Sequence, residues 1–431
     1  MRIAVVALGK IGLPLAVQFA NAGHEVVGVD IDARTVVAIN ALTREYPLEA
    51  GLDDALRAAV VDGRLRATTE YSDAIPGADA IVVVVPLIVD HVTSDPDYTW
   101  MDAATHEIAK NLTAGALVSY ETTLPVGTTR GRWKPMLEAG SGLTEGTDFH
   151  VAFSPERVLT GRVFADLRRY PKLVGALSDQ GARRATEFYE AVLDFDERAD
   201  LPRRNGVWDL GRAEAAELAK LAETTYRDVN IGLANQFALF AGDHGIDVHR
   251  VIQACNSQVF SHIHKPGIAV GGHCIPVYPR LYLSTDPDAS IVRTAREFNE
   301  SMPRRLVDRA ESLLGSLEGM TAVVLGASYR GGVKETAFSG VFPTVATLED
   351  RGAKVSVHDP LYDDDELRAL GFTPFHLGDV VELAVVQTDH AAYATLEPSE
   401  LPGIRLLVDG RNATTTEKWA GVPRIVIGAG Q

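Results

Sequence analysis

Cysteine is nearly missing from this chain: Cys255 and Cys274 are its only two thiols in 431 residues. A disulfide framework is therefore excluded as the source of stability, and without a CxxC pair no structural zinc, and no metal at all, is expected. No apolar run approaches the roughly 20 residues that a membrane-spanning helix requires, so no membrane partner is expected. The opening segment from Met1 to Gly12 reads as a strand entering a glycine turn, not as a signal ending in a cleavage site. A soluble, cytoplasmic protein is the expectation. Positive charge is also in deficit, because 41 Lys and Arg against 58 Asp and Glu leave a net charge of −17. Nucleic acid would be repelled overall. A phosphate-bearing small ligand stays possible, since backbone donors at helix N-termini bind phosphate locally.

What is present is an ordinary globular mixture, 46% hydrophobic and 23% charged, in a length that suits two or three domains. Ile3 to Leu8, Glu25 to Asp30, Ala80 to Val85 and Ala116 to Tyr120 are strand-like runs rich in Val and Ile. Leu13 to Ala22 between the first two has helical spacing. Such alternation predicts a parallel sheet covered on both faces. Near Asp209 the texture changes: Arg212 to His244 predicts one long helix or two in near-continuity, followed by helices over Val248 to Cys255 and Ile291 to Glu300 with a Gly- and Pro-rich loop between them. From about Gly319 the strand pattern restarts, at Thr321 to Leu325, Lys354 to His358, Val381 to Gln387 and Ile404 to Val408. The predicted fold class is α/β, with two Rossmann-like doubly wound domains joined by a helical central domain that carries a long helix.

Ala7-Leu8-Gly9-Lys10-Ile11-Gly12 matches the dinucleotide fingerprint GxGxxG except that alanine takes the place of the first glycine. Glycines there let the backbone approach a pyrophosphate seated on the helix N-terminus. Asp30 follows the second strand, where an acid accepts hydrogen bonds from ribose hydroxyls and repels the additional phosphate of NADP. NAD is the expected cofactor.

Gly271-Gly272-His273-Cys274-Ile275-Pro276 lies in the loop between helices. Paired glycines permit close approach of a ligand or of another backbone, and a cysteine beside a cation or base becomes a nucleophile. On these six residues alone, an inert thiol in a glycine turn is an equal reading. Neighbouring side chains in extended chain point apart, so His273 does not make a Cys–His dyad. Cys255 is read as a small buried hydrophobe.

The chain resembles the UDP-glucose/GDP-mannose dehydrogenase family over nearly its whole length. The residues that carry the likeness are Gly9 to Gly12 with Leu13-Pro14-Leu15-Ala16, Glu121 to Thr129, Ser154-Pro155-Glu156-Arg157-Val158, Ala219 to Glu223, Tyr226 to Asn230, Gly271 to Pro276 and Asn299 to Pro303. The resemblance implies oxidation of a nucleotide sugar's CH2OH to a carboxylate with two NAD in succession. It implies Cys274 as the covalent catalyst, through a thiohemiacetal and then a thioester, and Lys220 as the cation facing the developing oxyanion. Thr123 and Glu156 then position water, alcohol and nicotinamide, with Glu156 a candidate general base. Cofactor contacts are expected from Gly9, Ile11, Gly12, Asp30, Arg34, Pro86 and Thr123. Substrate contacts are expected from Lys220, Asn256, Phe260, Gly271, Gly272 and Arg330. The implied domains are 1–205 for NAD, 206–305 for catalysis and pairing, and 306–431 for the nucleotide sugar. Asp359 and Thr388-Asp389-His390 are strand-end residues of that last domain and equally suited to capping loops. The long helix implies a homodimer, or else an apolar face packed within its own chain.

Ser154 to Gly161 and Gly272 to Pro276 are similar to the branch acting on UDP-N-acetylhexosamines, which makes such a sugar the expected substrate and UDP-glucose the next. Four departures touch the chemistry. Tyr278 stands where the family commonly has aspartate, Thr224 where it has asparagine, Leu87 where a threonine hydroxyl is usual, and Ala337 where an arginine is expected. They leave open a slower or partial oxidation that stops at the aldehyde or thioester, or a nucleotide-sugar-binding protein without turnover.

Overall fold

Uncharged runs of Val, Ile and Ala become inner strands because both of their faces are buried under helices. The computed structural model describes every residue except 45, 47, 48, 91–94, 160, 430 and 431. The chain divides into two units, residues 1–222 and 223–431.

In the first unit the strands are β1 (Arg2–Val6), β2 (Glu25–Val29), β3 (Leu65–Thr68), β4 (Ala80–Val83), a small antiparallel hairpin of β5 (Ile88–Val89) and β6 (Pro96–Asp97), then β7 (Leu117–Tyr120), β8 (His150–Phe153), β9 (Lys172–Ala176) and β10 (Val207–Arg212). Eight of them form one sheet in the order β10-β9-β8-β7-β4-β1-β2-β3. Alternate side chains of β1 serve opposite cores. Ile3 and Val5 pack with the helices Gly12–Asn21 and Asp179–Val192, whereas Ala4 and Val6 share the core of the helices Thr99–Asn111 and Lys134–Ser141. The order reverses between β1 and β4, so the loop after β1 opens at a crevice along the carboxyl edge of the sheet.

Two strands depart from the expected parallel pattern, β9 and the β10 that runs parallel beside it. β9 pairs antiparallel with β8, Ala152 opposite Ala176 and Phe153 opposite Gly175. The chain leaves β8 at the carboxyl edge and re-enters the sheet from that same edge. The first residue of β9, Lys172, therefore lies beside the residues that follow β7 and β8.

In the second unit β11 (Thr321–Leu325), β12 (Lys354–His358), β13 (Leu383–Val386), β14 (Leu406–Asp409) and β15 (Arg424–Val426) form an all-parallel sheet in the order β12-β11-β13-β14-β15. The long helix, Ala213–Asp243, is continuous and carries the chain from one unit to the next. Within the second unit it meets the helix Ser290–Leu314 through buried polar groups: Arg296 Nη1 lies 2.5 Å from Asp228 Oδ1, and Asn235 donates to Asn299 at 2.9 Å. That second helix runs on past Glu300 with Pro303 inside it. Burial of Met302, Leu306, Val307 and Ala310 outweighs the local cost of the proline. The loop before it holds a further helix, Tyr278–Thr285. Cys255 is half-buried rather than buried. No helix among the described residues is long and apolar enough to cross a membrane.

Trp133 is fully buried, stacks on Tyr120 at 4.5 Å between ring centroids and donates from its indole to Asp102. Trp133→Ala is expected to destabilise the first unit by about 3–5 kcal/mol, measured as a lower urea midpoint with an unchanged slope.

Candidate active site

The turn after β1 is built to admit a phosphate. A Cβ on Gly12 would sit 1.8 Å from the Ala7 carbonyl oxygen, so only glycine fits, while a Cβ on Gly9 would meet nothing within 4 Å. Ile11 is the N-cap of the helix Gly12–Asn21 and gives it no side-chain cap. A helix N-terminus left open in this way suits an anion. Ala7 holds φ of +75°, a left-handed conformation that costs a non-glycine residue about 1 kcal/mol. This explains why glycine is the usual residue there.

Asp30 Oδ2 accepts the Leu8 N–H at 2.9 Å and Oδ1 accepts the Asp32 N–H at 2.9 Å. The half-exposed carboxylate is thereby aimed across the turn with lone pairs left for a ribose. Arg34 is exposed and its guanidinium pairs with Asp32. Pro86 is exposed after β4, and Thr123 is buried in the turn after β7. The Thr122 hydroxyl donates to Val85 O at 2.7 Å, which ties that turn to the one after β4. A dinucleotide fits this edge: glycines give it room, a helix end faces its phosphates, and a carboxylate faces its ribose.

Glu156 and Lys220 come together in the same unit. Lys220 Nζ donates to the Glu156 carbonyl at 2.7 Å. One turn earlier on the long helix, the buried Glu217 accepts from Gly127 N–H, Thr129 N–H and Thr129 Oγ1, which fixes the helix to the loop carrying Thr123. The Glu156 carboxylate accepts from Arg157 N–H at 2.7 Å and from Lys172 Nζ at 2.9 Å. Burial alone would raise the pKa of Glu156, but Lys172, the Arg157 N–H and the charge of Lys220 hold it below the ordinary carboxylate range. It is an ionised carboxylate at neutral pH.

Sequence reasoning missed Lys172 and its bond to Glu121. A lysine opening the apolar run Pro171-Lys172-Leu173-Val174-Gly175-Ala176 was the available signal, because lysine is almost never fully buried without a partner.

In the second unit Cys274 is exposed, and its Sγ lies 3.7 Å from the Tyr278 hydroxyl. The contact follows from spacing: the Cys274 carbonyl accepts the Tyr278 N–H at 2.9 Å, so the two side chains lie one helical turn apart. His273 Nε2 lies 3.5 Å from Glu335 and makes no pair with the thiol. Gly271 and Gly272 admit other parts of the chain. A Cβ on Gly271 would come within 2.7 Å of Tyr329 Cβ, and the Gly272 N–H donates to Ala337 O at 2.8 Å. Arg330 is exposed beside Tyr329, with Nε 3.2 Å from the hydroxyl. Asn256 spends its side chain on the backbone of Ile263, donating at 2.9 Å and accepting at 2.8 Å, and thereby closes a loop with Phe260 exposed at its tip.

Asp359 and the segment 388–390 cap loops. Asp359 Oδ2 accepts Ala327 N–H, Ser328 N–H and His390 Nε2 within 3.0 Å, and Gly331 N–H donates to Asp389 at 2.8 Å.

Comparison with known proteins agrees with this geometry. Models of the UDP-glucose/GDP-mannose dehydrogenase family match in three parts: its NAD binding domain over residues 1–193, its central domain over 214–301 and its UDP binding domain over 323–416. The chain belongs to the UDP-glucose/GDP-mannose dehydrogenase family. It is 35% identical to the UDP-N-acetyl-D-mannosamine dehydrogenase of Pyrococcus horikoshii, covering 96% of each chain. It is 32% identical to the NDP-N-acetyl-D-galactosaminuronic acid dehydrogenase of Ralstonia solanacearum, covering 97% of each. The solved structure of the Pyrococcus horikoshii UDP-D-ManNAc dehydrogenase superposes with a TM-score of 0.86 over 100% of both chains, at 33% identity. As in this family, the protein is an NAD-dependent oxidoreductase with Rossmann-like domains at both ends and a helical centre.

Asp30→Asn keeps one acceptor for the turn but removes the charge. Its expected effect is an NAD dissociation constant raised about 10-fold and a smaller preference over NADP, both read by fluorescence titration.

Proposed function

We propose that this protein oxidises the primary alcohol of a UDP-N-acetylhexosamine to the uronic acid with NAD, through a covalent adduct on Cys274. The observation that carries the reading is the convergence, at one sheet edge, of the glycine turn, Asp30, Thr123, the ionised Glu156 and Lys220. The sugar is supported by relatives named for UDP-N-acetyl-D-mannosamine and NDP-N-acetyl-D-galactosaminuronic acid. Functionally the chain is read as 1–205 for the cofactor, 206–305 for chemistry and pairing, and 306–431 for the nucleotide sugar.

When bound, NAD supplies the hydride acceptor. Gly9, Ile11, Gly12 and Asp30 would hold it, with Pro86, Thr123 and Arg34 as further contacts. Glu156 takes the proton from the alcohol, and the Lys220 ammonium steadies charge on the oxygen. The Cys274 thiol adds to the aldehyde as a thiohemiacetal. Loss of a second hydride to NAD and of the hydroxyl proton makes it a thioester, and water cleaves the thioester to the acid and the free thiol. Gly271, Gly272, Asn256, Phe260 and Arg330 shape the substrate's surroundings, Asn256 by closing the loop that presents Phe260.

A second reading, an oxidation that halts before the free acid, is favoured by Tyr278, whose hydroxyl stands at the thiol in place of a carboxylate. The expected result is two NADH per UDP-N-acetylhexosamine in the wild type and no uronic acid from Cys274→Ser. One NADH per sugar would support the partial reaction, and turnover confined to UDP-glucose would reassign the substrate.

A homodimer is supported by the long helix, which exposes Tyr226, Leu233, Phe237 and Phe240 at helical spacing. Leu233→Asp with Phe240→Asp is expected to yield a monomer by light scattering. An exposed free thiol that must stay reduced supports a cytoplasmic location.

A further inference from the structure

Lys172 has no part in the chemistry described so far, yet it is only 4% exposed and carries two carboxylates. Its Nζ lies 2.7 Å from Glu121 Oε2, 2.9 Å from Glu156 Oε2 and 4.8 Å from the centroid of the Tyr189 ring. The Tyr189 hydroxyl donates to Glu121 Oε1 at 2.6 Å and meets Ser119 Oγ at 2.8 Å. The Glu121 side chain is sealed, whereas the Glu156 side chain keeps 11% of its surface. Two carboxylates therefore share one ammonium away from water. With all three groups charged, one negative charge is left buried, and low dielectric favours a proton in its place.

The two carboxylates are not equivalent. Glu156 also has the Arg157 N–H and the charge of Lys220. Glu121 is faced by Lys172 from β9, by Tyr189 from the helix Asp179–Val192 and by Glu156 from the loop after β8, while Ser119 from β7 meets the Tyr189 hydroxyl. Burial, with the charge of Glu156 added to it, pushes Glu121 up to about 7 in spite of Lys172. Burial also opposes the Lys172 charge, but the two carboxylates hold the ammonium above its ordinary range.

We propose that Glu121, Lys172 and Glu156 are a buried proton store, in which the proton that Glu156 takes from the substrate is passed through Lys172 to Glu121. The proposal rests on Glu156 being the base. In each oxidation the C–H electron pair leaves as hydride to NAD, and the alcohol proton bonds to Glu156. Lys172 releases one proton to Glu121 Oε2 and takes the one from Glu156 Oε2. The ammonium is unchanged, Glu121 is neutral and Glu156 is again ionised. Before the next hydride transfer, the proton returns along the same two hydrogen bonds to Glu156, the most exposed of the three, and thence to water. Glu121 is thus a positioning and storage residue, since it does not touch substrate.

Two variants separate this from a merely structural ion triad. Glu121→Gln keeps the shape and the acceptor for Lys172, with its amide donating to a Tyr189 hydroxyl turned towards Ser119, but cannot take a proton. Lys172→Arg keeps the charge and both partners, but its guanidinium does not release one. For the wild type, infrared difference spectra of the cofactor-free protein are expected to show a protonated carboxyl signal that disappears with a midpoint of about 7, and kcat is expected to rise through the same pH as Glu121 ionises. In Glu121→Gln both the signal and that limb vanish, and kcat falls about 10-fold with little change in KM. Lys172→Arg, with wild-type thermal stability, shows a similar fall. Restoration of full kcat by arginine, or a Glu121→Gln protein with the wild-type carboxyl signal and pH profile, overturns the store. If Glu156→Gln is inactive while Glu121→Gln behaves as wild type, the store alone is wrong. A fully active Glu156→Gln removes the base assignment and the store together.

Discussion

One buried ammonium joins the ends of three neighbouring strands. Lys172 opens β9, Glu121 follows β7 and Glu156 follows the end of β8, and all three meet at the carboxyl edge of the first sheet. That meeting requires β9 to run antiparallel to β8. Were β9 parallel to β8, its first residue would lie at the opposite edge and Glu121 would be buried without a cation. Such a triad is weak evidence of stability, because desolvation of the charges offsets most of their attraction. What it does fix is geometry. Glu156 is held ionised and oriented, and its carbonyl in turn receives Lys220 from the long helix.

The two Rossmann-like sheets use one device to different ends. After the second strand of each, an aspartate accepts backbone N–H groups from the turn after the first strand: Asp30 from Leu8, and Asp359 from Ala327 and Ser328. Both turns are thereby set in place. Asp30 remains half-exposed, so its carboxylate can also meet a ribose. Asp359 is 3% exposed and carries His390 as well. Burial would raise its pKa, but that histidine and the backbone donors hold it below the usual carboxylate range. The same topology yields an open acid in one unit and a sealed brace in the other.

Around the thiol, the departures from the family pattern acquire a physical meaning. Tyr278 takes the place of an acid at the start of a helix whose first turn is organised by the Cys274 carbonyl. The i, i+4 relation survives the substitution, so a polar atom still stands at the sulfur, but it is a hydroxyl. Gly271 and Gly272, read from sequence as room for a ligand or a backbone, are filled by Tyr329 and by the backbone of 337–338.

Sequence by itself determined the alternation of strands and helices, the glycine turn with Asp30, the long helix and the Gly-Gly-His-Cys loop. Each of these is a local signal: periodicity, a residue that only a tight turn tolerates, or an unbroken run of motif. Pro303 inside a helix and the short helix after Cys274 were illegible because packing overrode local preference. The loop that the Asn256 amide closes on Ile263 was not legible either, because its partner lies outside any local pattern. Tertiary structure alone decided the partners of Lys172, which lie 51 and 16 residues away in sequence. Nothing in a strand's own residues states its direction in the sheet, and that direction is what places the cation between its two carboxylates.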